Sequence, residues 1–546
     1  MKLTYFLYLT LHFLVMSELC YAQNQKYWIF LADKDTVAYN YQQHLSEEAI
    51  ERRLEQKIPL VQFTDIPLNI NYLTQLQQQG IKQVQQSKWL NAITAILTYE
   101  EIIVIKKLPF VKQIVPMNNR FKILSLPSQK EIEYVLAIEQ MEAEEMSKAN
   151  LNGLGITIGI IDAGYVGASQ NEYLQHLFDE KRILGIKDLV NPNRKEHFKQ
   201  AETSADSHGN TVLQMVTGHE KGGSQYGFAT KSQFYLARTD NGDSEFRGEE
   251  DYWISAMEWL DSLGVRVINT SLGYALGFDN PNENYKPEQM DGKTSTISKA
   301  AQIAANEKGL LLIVSAGNEG NDSNWLVIST PADVENVMSI GATQPNGMKA
   351  GYSSIGTELV SYLKPNVSCF SANGTSFSAP IITGFAACLM QKNRKATNKE
   401  ISNIIEKSSH LYPHGNNYIG YGIPKSSRAL KLLDNLMNNI TENINSENKI
   451  VQEKSQYDLK VKNTKNRIVL FHKKNETIVI SQDIISVSKG KYTINRPEKA
   501  VRTTVVEENK ITEIIWDGES PKKLKKSQRK AKKAAKKEQR KQKRIN

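Results

Sequence analysis

The stretch Ile156-Thr-Ile-Gly-Ile-Ile-Asp162-Ala-Gly164 is an almost continuous apolar run that ends in a carboxylate and a glycine turn. A run of this kind is typical of a strand buried on both faces of a parallel sheet. Three further runs, at 233–236, 266–269 and 310–314, alternate with helical periods at 252–263 and 295–307. The pattern predicts a doubly wound α/β domain with a mostly parallel sheet, in which ligands bind beyond the carboxyl ends of the strands.

The region before this domain has a different pattern and predicts a separate α+β unit. Its element order is βαββαβ, which is the ferredoxin-like arrangement, with strands at 27–32, 81–85, 89–97 and 111–115 and helices at 71–79 and 99–108. An inserted helix is predicted at 46–56, because Ser46 is a good N-cap and Glu47 and Glu48 would meet the positive end of the helix dipole.

The region after the α/β domain changes period again. Residues 435–448 are rich in Asn and contain too few apolar residues to pack, so 435–455 is interpreted as a linker. Beyond it every second residue is apolar, which predicts a small β domain at 456–518, with strands at 467–471, 476–480, 501–506 and 510–515.

The net charge of +9 is concentrated at the C-terminus. Residues 521–546 hold 14 of the 68 Lys and Arg residues and one of the 59 acidic residues, so the rest of the chain is mildly acidic. Residues 519–546 are interpreted as a basic disordered tail, or as a segment that binds an anionic surface such as envelope or lipid. No aromatic residue follows Trp516, which argues against specific recognition of nucleic acid by base stacking.

Residues 1–22 have the features of a secretory signal peptide. Lys2 precedes an apolar stretch, and Cys20-Tyr-Ala22 supplies small residues at the two positions that a signal peptidase inspects. A membrane anchor is disfavoured, because the stretch is too short and too polar to span a bilayer. The protein is therefore expected to be exported to an extracellular, periplasmic or cell-surface location.

Only two cysteines, Cys369 and Cys388, lie beyond the signal peptide. Two cysteines in a chain of this length do not form a disulfide framework, even in an oxidising compartment. We expect two buried thiols, with a single bridge as the alternative.

Three segments bring reactive side chains to the same edge of the predicted sheet. They are Asp162 at its strand end, His208 in Asp206-Ser-His-Gly-Asn210, and Ser376 in Asn373-Gly-Thr-Ser-Phe-Ser-Ala-Pro380. Each alone has a structural explanation: a turn residue, a hydrogen-bonded structural histidine, or a helix N-cap. A serine at a helix start behind a glycine is also how a nucleophile is placed beside backbone N–H groups that can hold an oxyanion.

Two further strand ends fit the same interpretation. The run Leu312-Ile-Val-Ser315-Ala-Gly317-Asn318 delivers an amide side chain to this edge, where its N–H₂ group can stabilise the negative oxygen of a carbonyl under attack. Another predicted strand leads into Ser271-Leu-Gly273. A glycine-containing strand end beside a cleft can pair its backbone with an extended peptide.

The order Asp, His, Ser, with Ala-Gly-Asn-Glu-Gly between the last two and Asn-Gly-Thr-Ser-Phe-Ser-Ala-Pro around the serine, resembles the subtilisin-like serine peptidases, or subtilases. The resemblance covers about residues 153–433. It implies that Ser376 is the nucleophile, His208 the general base, and Asp162 the residue that orients the imidazole. It implies that Asn318 and the Ser376 N–H form the oxyanion hole. The substrate-binding segments would be Ser271, Leu272 and Gly273, with Ser315, Ala316 and Gly317 as the wall of the specificity pocket.

The sequence departs from the subtilase pattern at two places. The family usually has Thr after the catalytic Asp and after the His-Gly pair, where this chain has Ala163 and Asn210. A hydroxyl group beside each catalytic residue is therefore lost or replaced, which affects the hydrogen bonding that supports them.

The resemblance gives the N-terminal unit a role, since subtilases commonly carry a ferredoxin-like propeptide that covers the cleft and is cut off. It implies a propeptide and inhibitor domain at 23–125, cleaved within 117–134, and a peptidase domain at 126–434. A permanent accessory domain is the alternative. No cofactor is required. Many subtilases bind calcium at carboxylate-rich loops, but 240–251 and 279–291 lack a fixed ligand spacing, so no metal is assigned.

The sequence thus predicts an exported, monomeric serine endopeptidase that acts on polypeptides and is made as a zymogen. Two alternatives belong to other classes of protein. One is a weak or inactive peptide-binding protein with a subtilisin fold, in which Ala163 and Asn210 have left the cleft as a recognition groove. The other is a surface adhesion protein that acts through its β domain and basic tail.

Overall fold

The computed structural model describes residues 25–516 except 36–38, 118–131, 243–248, 276–283, 441–448, 454, 462–466, 487–489 and 508–509. The predicted signal peptide and basic tail lie outside the described residues. So does most of the predicted cleavage segment, 117–134.

The N-terminal domain is a four-stranded antiparallel sheet with helices. Its elements are β1 (Gln25–Leu31), α1 (Glu47–Glu55), α2 (Ile70–Gln78), β2 (Gln83–Ser87), β3 (Ala92–Leu97), α3 (Tyr99–Ile105) and β4 (Val111–Met117). The sheet order β2-β3-β1-β4 confirms the ferredoxin-like prediction. The inserted helix α1 is capped as predicted, because the Ser46 hydroxyl accepts a hydrogen bond from the Ala49 N–H at 3.1 Å.

The two faces of this sheet are buried against different partners. Ile29 and Leu31 of β1 pack with α2 and α3 in the core of the N-terminal domain. Trp28, from the alternate set, joins a core that belongs to the following domain. Period-two alternation along β1 therefore places the sheet between its own helices and the central domain.

The central domain is built on a seven-stranded parallel sheet with helices. Its elements in chain order are α4 (Ile132–Gln140), α5 (Ala143–Lys148), β5 (Thr157–Asp162), α6 (Gln175–Asp179), β6 (Ile183–Asp188), α7 (His208–Thr217), β7 (Gln233–Arg238), α8 (Glu250–Ser262), β8 (Val267–Thr270), α9 (Thr296–Asn306), β9 (Leu311–Ser315), β10 (Met338–Thr343), β11 (Val367–Phe370), α10 (Ala379–Lys392), α11 (Asn398–Ser408) and α12 (Ser426–Met437). The order is β11-β10-β9-β8-β5-β7-β6, which confirms the doubly wound α/β prediction.

The sheet order reverses at β5, which pairs with β7 on one side and β8 on the other. Asp162 is the last residue of β5 and is in register with Arg238, the last residue of β7. In such sheets the crevice for ligands lies outside the carboxyl ends of the strands at this point. The fold therefore presents Asp162 where a site is expected.

Three strands of this sheet were not predicted. The edge strand β6 is mostly half-buried and so lacks a continuous apolar run, β10 contains small and polar residues, and β11 has four residues only. A strand with many large apolar residues can be predicted from its hydrophobicity. An edge strand or a strand of small residues cannot, because its formation depends on pairing with segments that are distant in the sequence.

Helix α10 lies in the core, with twelve of its fourteen residues buried. Cys388 is on this helix and Cys369 is on β11, and both are buried free thiols, which confirms that prediction. Burial raises the pKa of both thiols well above the ordinary value.

The C-terminal domain contains two small sheets. Its strands are β12 (Lys449–Gln452), β13 (Gln456–Val461), β14 (Ile468–Lys473), β15 (Val479–Ile485), β16 (Gly490–Asn495), β17 (Arg502–Glu507) and β18 (Lys510–Trp516). Five form a sheet in the order β12-β18-β17-β14-β15, and β13 pairs with β16. A small β domain is confirmed, with three more strands than the sequence indicated.

The predicted linker, 435–455, needs correction at both ends. Helix α12 continues to Met437, because Leu432 and Leu433 pack its apolar face into the core of the central domain. Strand β12 also lies within this range and pairs in parallel with β18. The polar composition of the segment gives no hydrophobic signal for β12. The strand forms through backbone pairing with β18, at the other end of the domain.

Candidate active site

Asp162 and His208 lie at adjacent element ends. Asp162 ends β5, His208 begins α7, and the Asp162 Oδ1 atom is 2.7 Å from His208 Nδ1. Both side chains are buried. Burial lowers the pKa of His208, but the Asp162 carboxylate outweighs it, so the pKa of the imidazole is raised from its ordinary value. The pair can therefore stabilise an imidazolium formed during proton transfer.

Two glycines let the segments that carry this pair approach each other. The Gly209 N–H donates to the Gly164 carbonyl at 2.8 Å. A Cβ on Gly164 would lie 2.7 Å from the Asp206 Cα, and one on Gly209 would lie 2.5 Å from the Gly164 oxygen. The contact is between backbones, so only residues without a side chain fit at both positions.

Ser376 lies in the 3₁₀ helix Thr375–Phe377, which precedes α10. Its hydroxyl donates to the Ser271 carbonyl at 3.2 Å, and the Ser376 carbonyl accepts from the Ser271 hydroxyl at 2.8 Å. The residue is fully buried and does not act as the side-chain N-cap of α10, where Ser378 is the capping position. The alternative explanation of Ser376 as an N-cap is therefore not what the structure contains.

The imidazole of His208 and the serine segment meet through Phe377. The centroids of the His208 and Phe377 rings are 5.5 Å apart. Within the described residues His208 Nε2 is buried and has no hydrogen-bond partner. The Ser376 hydroxyl is thus directed to the Ser271 carbonyl at the end of β8 and not to the imidazole. Catalytic hydrogen bonds are often loose before substrate binds.

Asn318 follows β9 and is oriented by Thr375. The Thr375 N–H donates to Asn318 Oδ1 at 2.9 Å, and the Thr375 hydroxyl lies 3.0 Å from the same oxygen. The Thr375 hydroxyl also contacts the backbone of Gly317. Because Thr375 holds the amide oxygen of Asn318, the amide nitrogen lies on the side of this amide group that faces away from Thr375. Thr375 was not singled out by the sequence analysis, although it lies inside the serine motif.

The two predicted substrate-binding segments differ in what their backbones do. The ladders of β8 end at Thr270, so Ser271, Leu272 and Gly273 continue past the sheet at the same edge. The backbone of Ala316 instead bonds to Ile340 and Ser329 within the fold. Ser315 and Ala316 are completely buried, and Gly317 is held by Thr375. Ser271 and Leu272 are also buried, at 2% and 6% exposed, so the two segments differ in their backbone pairing and not in their burial.

A buried ionic group beside Asp162 and His208 was missed by the sequence analysis. Arg238 donates to the carbonyl of Ala163 at 3.0 Å and to the carboxylate of Asp206 at 3.0 Å. It also contacts Asp188 at 3.2 Å and Glu202 at 2.9 Å. Ala163 follows Asp162 and Asp206 precedes His208 by two residues, so one guanidinium links the segments that carry Asp162 and His208.

Arg194 contributes to the same ionic group, since it contacts Asp206 at 2.9 Å. The sequence contained one signal for this group, namely an arginine at the end of a strand that neighbours β5. The loop that supplies Asp206 and Glu202 has no sequence pattern from which its contacts with Arg238 could be predicted.

The two departures from the subtilase pattern are accommodated in different ways. The Ala163 N–H donates to Asp162 Oδ1 at 2.8 Å, so the backbone supplies a hydrogen bond to the carboxylate. Asn210 accepts from the Asn171 amide at 2.9 Å, on the first turn of α7. Neither Ala163 nor Asn210 has a hydroxyl group, so the hydrogen bonds of the usual threonines are not reproduced by a side-chain hydroxyl at these positions.

Asp240, just beyond β7, is a second carboxylic acid near this pair. Burial raises the pKa of Asp240 to about 7, and the negative charge of Asp162 adds to the shift, whereas the Thr239 hydroxyl opposes it. The Thr239 hydroxyl donates to Asp240 Oδ2 at 2.5 Å. The sequence analysis considered Asp240 only as part of an acidic loop.

The loops considered for calcium are only partly described. Across the described ranges no group of three or more His, Cys, Asp or Glu residues is placed to hold a metal ion. The Asp291 carboxylate is used locally, because it accepts from the N–H groups of Lys293 and Thr294 at 2.8 Å each. No helix in the described part of the chain has the length and hydropathy to cross a bilayer.

Comparison with known families matches two parts of the chain. Residues 153–422 match the sequence model of the subtilase family, and residues 26–133 match that of the peptidase S8 propeptide domain of Bacteroidota. The two matches coincide with the central and N-terminal domains of the structure.

Individual relatives are distant. Subtilisin NAT of Bacillus subtilis subsp. natto is 24% identical over 357 residues, which are 64% of this chain and 83% of that protein. Subtilisin DY of Bacillus licheniformis is 25% identical over 281 residues, 50% of this chain and 90% of that protein. Among solved structures, MycP1 from Mycobacterium smegmatis covers 57% of this chain and 90% of its own, with a TM-score of 0.43 and 19% identity.

Proposed function

Since residues 153–422 make this chain a member of the subtilase family and an S8 propeptide domain precedes them, we propose that it is an exported serine endopeptidase made as a zymogen. The observation that carries the proposal is the 2.7 Å contact between Asp162 and His208, two buried side chains at the carboxyl edge of the sheet. The serine motif lies beside them, since the ring of Phe377 packs on His208.

The proposed reaction is acyl transfer to Ser376. Its hydroxyl leaves the Ser271 carbonyl, gives its proton to His208 Nε2 and attacks the peptide carbonyl carbon. The protonated imidazole, stabilised by Asp162, then gives that proton to the leaving amine. Water attacks the acyl-enzyme with His208 as base, which releases the carboxylate product and restores the serine.

The oxyanion that forms in each step needs donors that are already in place. We assign these donors to the Asn318 amide nitrogen and the Ser376 N–H. Support comes from the two hydrogen bonds that Thr375 makes to the Asn318 oxygen, which fix the amide in one orientation. A peptide would pair along Ser271, Leu272 and Gly273, with Ser315, Ala316 and Gly317 behind its side chain.

The remaining parts of the chain complete the proposal. Residues 1–22 would direct export, 23–125 would act as intramolecular inhibitor, and cleavage within 117–134 would release the peptidase domain. The basic tail would bind an anionic surface. The protein is proposed to act as a monomer without a cofactor.

A fluorophosphonate probe tests the nucleophile directly. We expect covalent label on Ser376 in a chain that has lost about the N-terminal 100 residues, because only an activated serine reacts at a useful rate. Ser376→Ala should abolish both labelling and casein hydrolysis. Ser378→Ala is the matched control, since this neighbouring hydroxyl donates to the Thr375 carbonyl at 3.0 Å and takes no part in the reaction.

The result also separates the peptidase from the peptide-binding alternative. That alternative is favoured by the hydrogen bond of Ser376 to Ser271 and by Ala163 and Asn210. A folded, shortened wild-type chain that takes no label and leaves casein intact would contradict the peptidase proposal.

A further inference from the structure

The C-terminal domain holds a loop of the central domain that lies between β10 and β11, at residues 349–356. We call it the coupling loop. At its first residue, the Lys349 N–H donates to the side-chain oxygen of Gln482 on β15 at 2.9 Å, and the Gln482 amide nitrogen donates to the Lys349 carbonyl at 3.3 Å. At its last residue, the Gly356 N–H donates to the Asn417 carbonyl at 2.8 Å. The Asn417 side chain in turn accepts from the backbone of β15 at 2.9 Å, so contacts with β15 hold the loop at both ends.

The side chain of Lys349 turns back on the coupling loop and joins its backbone carbonyls. The Nζ atom donates to Ala350 at 3.0 Å, Gly351 at 2.9 Å and Ser353 at 2.8 Å. An ammonium has three N–H groups, and these three carbonyls use all of them. Lys349 is buried, and a buried carbonyl that loses its donor is costly. The side chain therefore holds the loop in one conformation.

The coupling loop packs on the backbone around Asn318. On one side of this residue, the Ser354 N–H donates to the Gly317 carbonyl at 3.1 Å. On the other side, the Gly320 N–H donates to the Tyr352 carbonyl at 2.7 Å. The residue whose amide is assigned to the oxyanion hole thus lies between two hydrogen bonds to the loop.

The approach of these two segments leaves no room for a side chain between them. A Cβ on Gly320 would lie 2.0 Å from the Ser353 carbonyl oxygen, and one on Gly317 would lie 2.8 Å from the Ser354 Oγ atom. Protein interiors are packed as densely as organic crystals, so a shift on one side of such a contact is passed to the other. A displacement of the coupling loop should therefore displace Asn318.

The Glu319 carboxylate extends the contact to Asn318 itself. The Asn318 N–H donates to Glu319 Oε2 at 2.9 Å, and the Ser354 hydroxyl donates to the same oxygen at 3.2 Å. The Ser354 hydroxyl also accepts from the Glu319 N–H at 3.1 Å. Asn318 is thus held through its backbone by the coupling loop and through its side-chain oxygen by Thr375.

We propose that the C-terminal domain positions the oxyanion hole, because Gln482 fixes the backbone of Lys349, Lys349 fixes the coupling loop, and the loop fixes the backbone of Asn318. This inference rests on the proposed peptidase function. Lys349 and Gln482 touch neither substrate nor the reacting atoms, so they are positioning residues. A donor that is slightly displaced from the developing negative oxygen stabilises the transition state less, which lowers kcat.

The first test measures kcat and KM of the processed protein with its C-terminal domain, on a peptide substrate. Active serines are counted with the fluorophosphonate probe, so that a loss of folded protein is not read as a loss of rate. Lys349→Met should lower kcat by about tenfold and Gln482→Ala by about threefold, with KM little changed, because an oxyanion forms only along the reaction path.

Two further variants of β15 complete this test. Gln482→Glu keeps an acceptor for the Lys349 N–H and should recover part of the loss. Ser481→Ala is the matched control, since Ser481 is the neighbour of Gln482 on the strand and faces the other side of the sheet. Gln482 is half-buried, so its substitution keeps the inference testable if Lys349→Met does not fold.

The route through Asn318 is tested by repeating these changes in an Asn318→Ala background. Loss of one oxyanion donor lowers kcat by about a hundredfold to a thousandfold, which leaves a measurable rate. If Lys349 and Gln482 act by positioning Asn318, their substitutions should lower kcat little further in this background. A merely structural role would give the same fold loss in both backgrounds.

Hydrogen exchange tests the coupling without catalysis. In the full-length chain with Ser376→Ala, Gln482→Ala should accelerate exchange of the Gly320 and Ser354 N–H groups, which bond the coupling loop to the backbone around Asn318. Ser481→Ala should leave both rates unchanged.

Any one of three results would overturn the inference. They are equal kcat in Gln482→Ala and Ser481→Ala, equal fold losses with and without Asn318, and equal exchange in the two β15 variants. A wild-type chain that takes no probe would instead refute the peptidase proposal. The exchange rates would then still decide whether the C-terminal domain holds the backbone around Asn318.

Discussion

At the scale of single residues, the protonation state of His208 determines the pH range in which the proposed reaction can proceed. Its pKa is raised from the ordinary 6.5, since Asp162 outweighs burial. A general base must be neutral, so activity rises as the pH rises through the folded pKa. The same shift contributes stability that is complete below 6.5 and is lost as the pH passes the folded pKa.

We therefore predict that kcat/KM of the processed protein increases with pH with a midpoint above 6.5. Asp162→Asn should move this midpoint down, because burial is then opposed only by the smaller effect of Asp240 on the pKa of His208, and lower kcat by roughly a thousandfold or more. The measurement is a pH–rate profile. Asp179→Asn, at an exposed position that ends α6, is the control. An unchanged midpoint in Asp162→Asn would contradict the electrostatic account.

Arg238 gives a prediction of a different kind, because it touches neither substrate nor the reacting atoms. Arg238→Met should lower kcat by about tenfold to a hundredfold with KM little changed, because a small displacement of Asp162 or His208 lowers the reaction rate strongly. Arg238→Lys, which keeps the charge, should recover part of the loss.

The control for Arg238 is Arg182→Met, a buried arginine that donates to the Ser232 carbonyl away from the site. Both changes should lower the unfolding midpoint, but only the first should lower kcat. Equal kcat in the two variants would assign Arg238 a structural role alone.

The residues of the site were predictable in so far as they sit in local motifs. Asp162, His208, Ser376 and Asn318 each lie in a short recognisable segment, and their catalytic roles stay predictions. Arg238 did not, because its partners Ala163 and Asp206 are 75 and 32 residues away along the chain. Only folding brings the three together.

At the scale of elements, the crossing of the β5 and α7 segments depends on Gly164. We predict that Gly164→Ala lowers the free energy of unfolding by about 3 kcal/mol or more, because its Cβ would overlap the backbone of Asp206. Gly222→Ala is the matched control. It also has a positive φ, but its Cβ meets nothing within 4 Å, so the cost should be only about 1 kcal/mol.

Chemical denaturation of both glycine variants measures this difference. Similar midpoints for the two would mean that the loops can separate without loss. In that case the close approach of the backbones would not hold His208 in place.

Strands that are both buried and rich in large apolar residues were the ones that the sequence predicted well, whereas β10 and β11 are buried but were missed, because β10 contains small and polar residues and β11 has four residues only. Strands β5, β7, β8 and β9 are continuous apolar runs, and their predicted and observed bounds differ by no more than two residues. Strands β6, β13 and β16 are mostly half-buried or exposed, so their hydrophobic signal is weak. Their pairing is decided by neighbours in space rather than by their own residues.

At the scale of the whole molecule, the C-terminal domain is joined to the peptidase domain by one face of β14. Phe471 packs with Leu411 and Ile419 of the peptidase domain, whereas Leu470 faces the core of its own domain. The Asn417 side chain adds to the junction, since it accepts from the Val479 N–H at 2.9 Å.

We predict that Phe471→Ala loosens the peptidase domain and that Leu470→Ala does not. Each change should remove about 2–5 kcal/mol of stability from the core to which the side chain belongs. Hydrogen exchange at residues 411–419 should become faster in Phe471→Ala only. Equal exchange in both variants would indicate that the C-terminal domain folds independently of its neighbour.

The placement of Cys369 and Cys388 has a practical consequence. Each thiol donates to a backbone carbonyl, Cys369 to Ser378 and Cys388 to Leu151 and Phe228, and neither reaches solvent. Alkylating reagents attack thiolates, and burial keeps both groups protonated. In a chain without residues 1–22, and so without Cys20, a cysteine introduced on the surface would therefore take a maleimide dye in preference to Cys369 and Cys388.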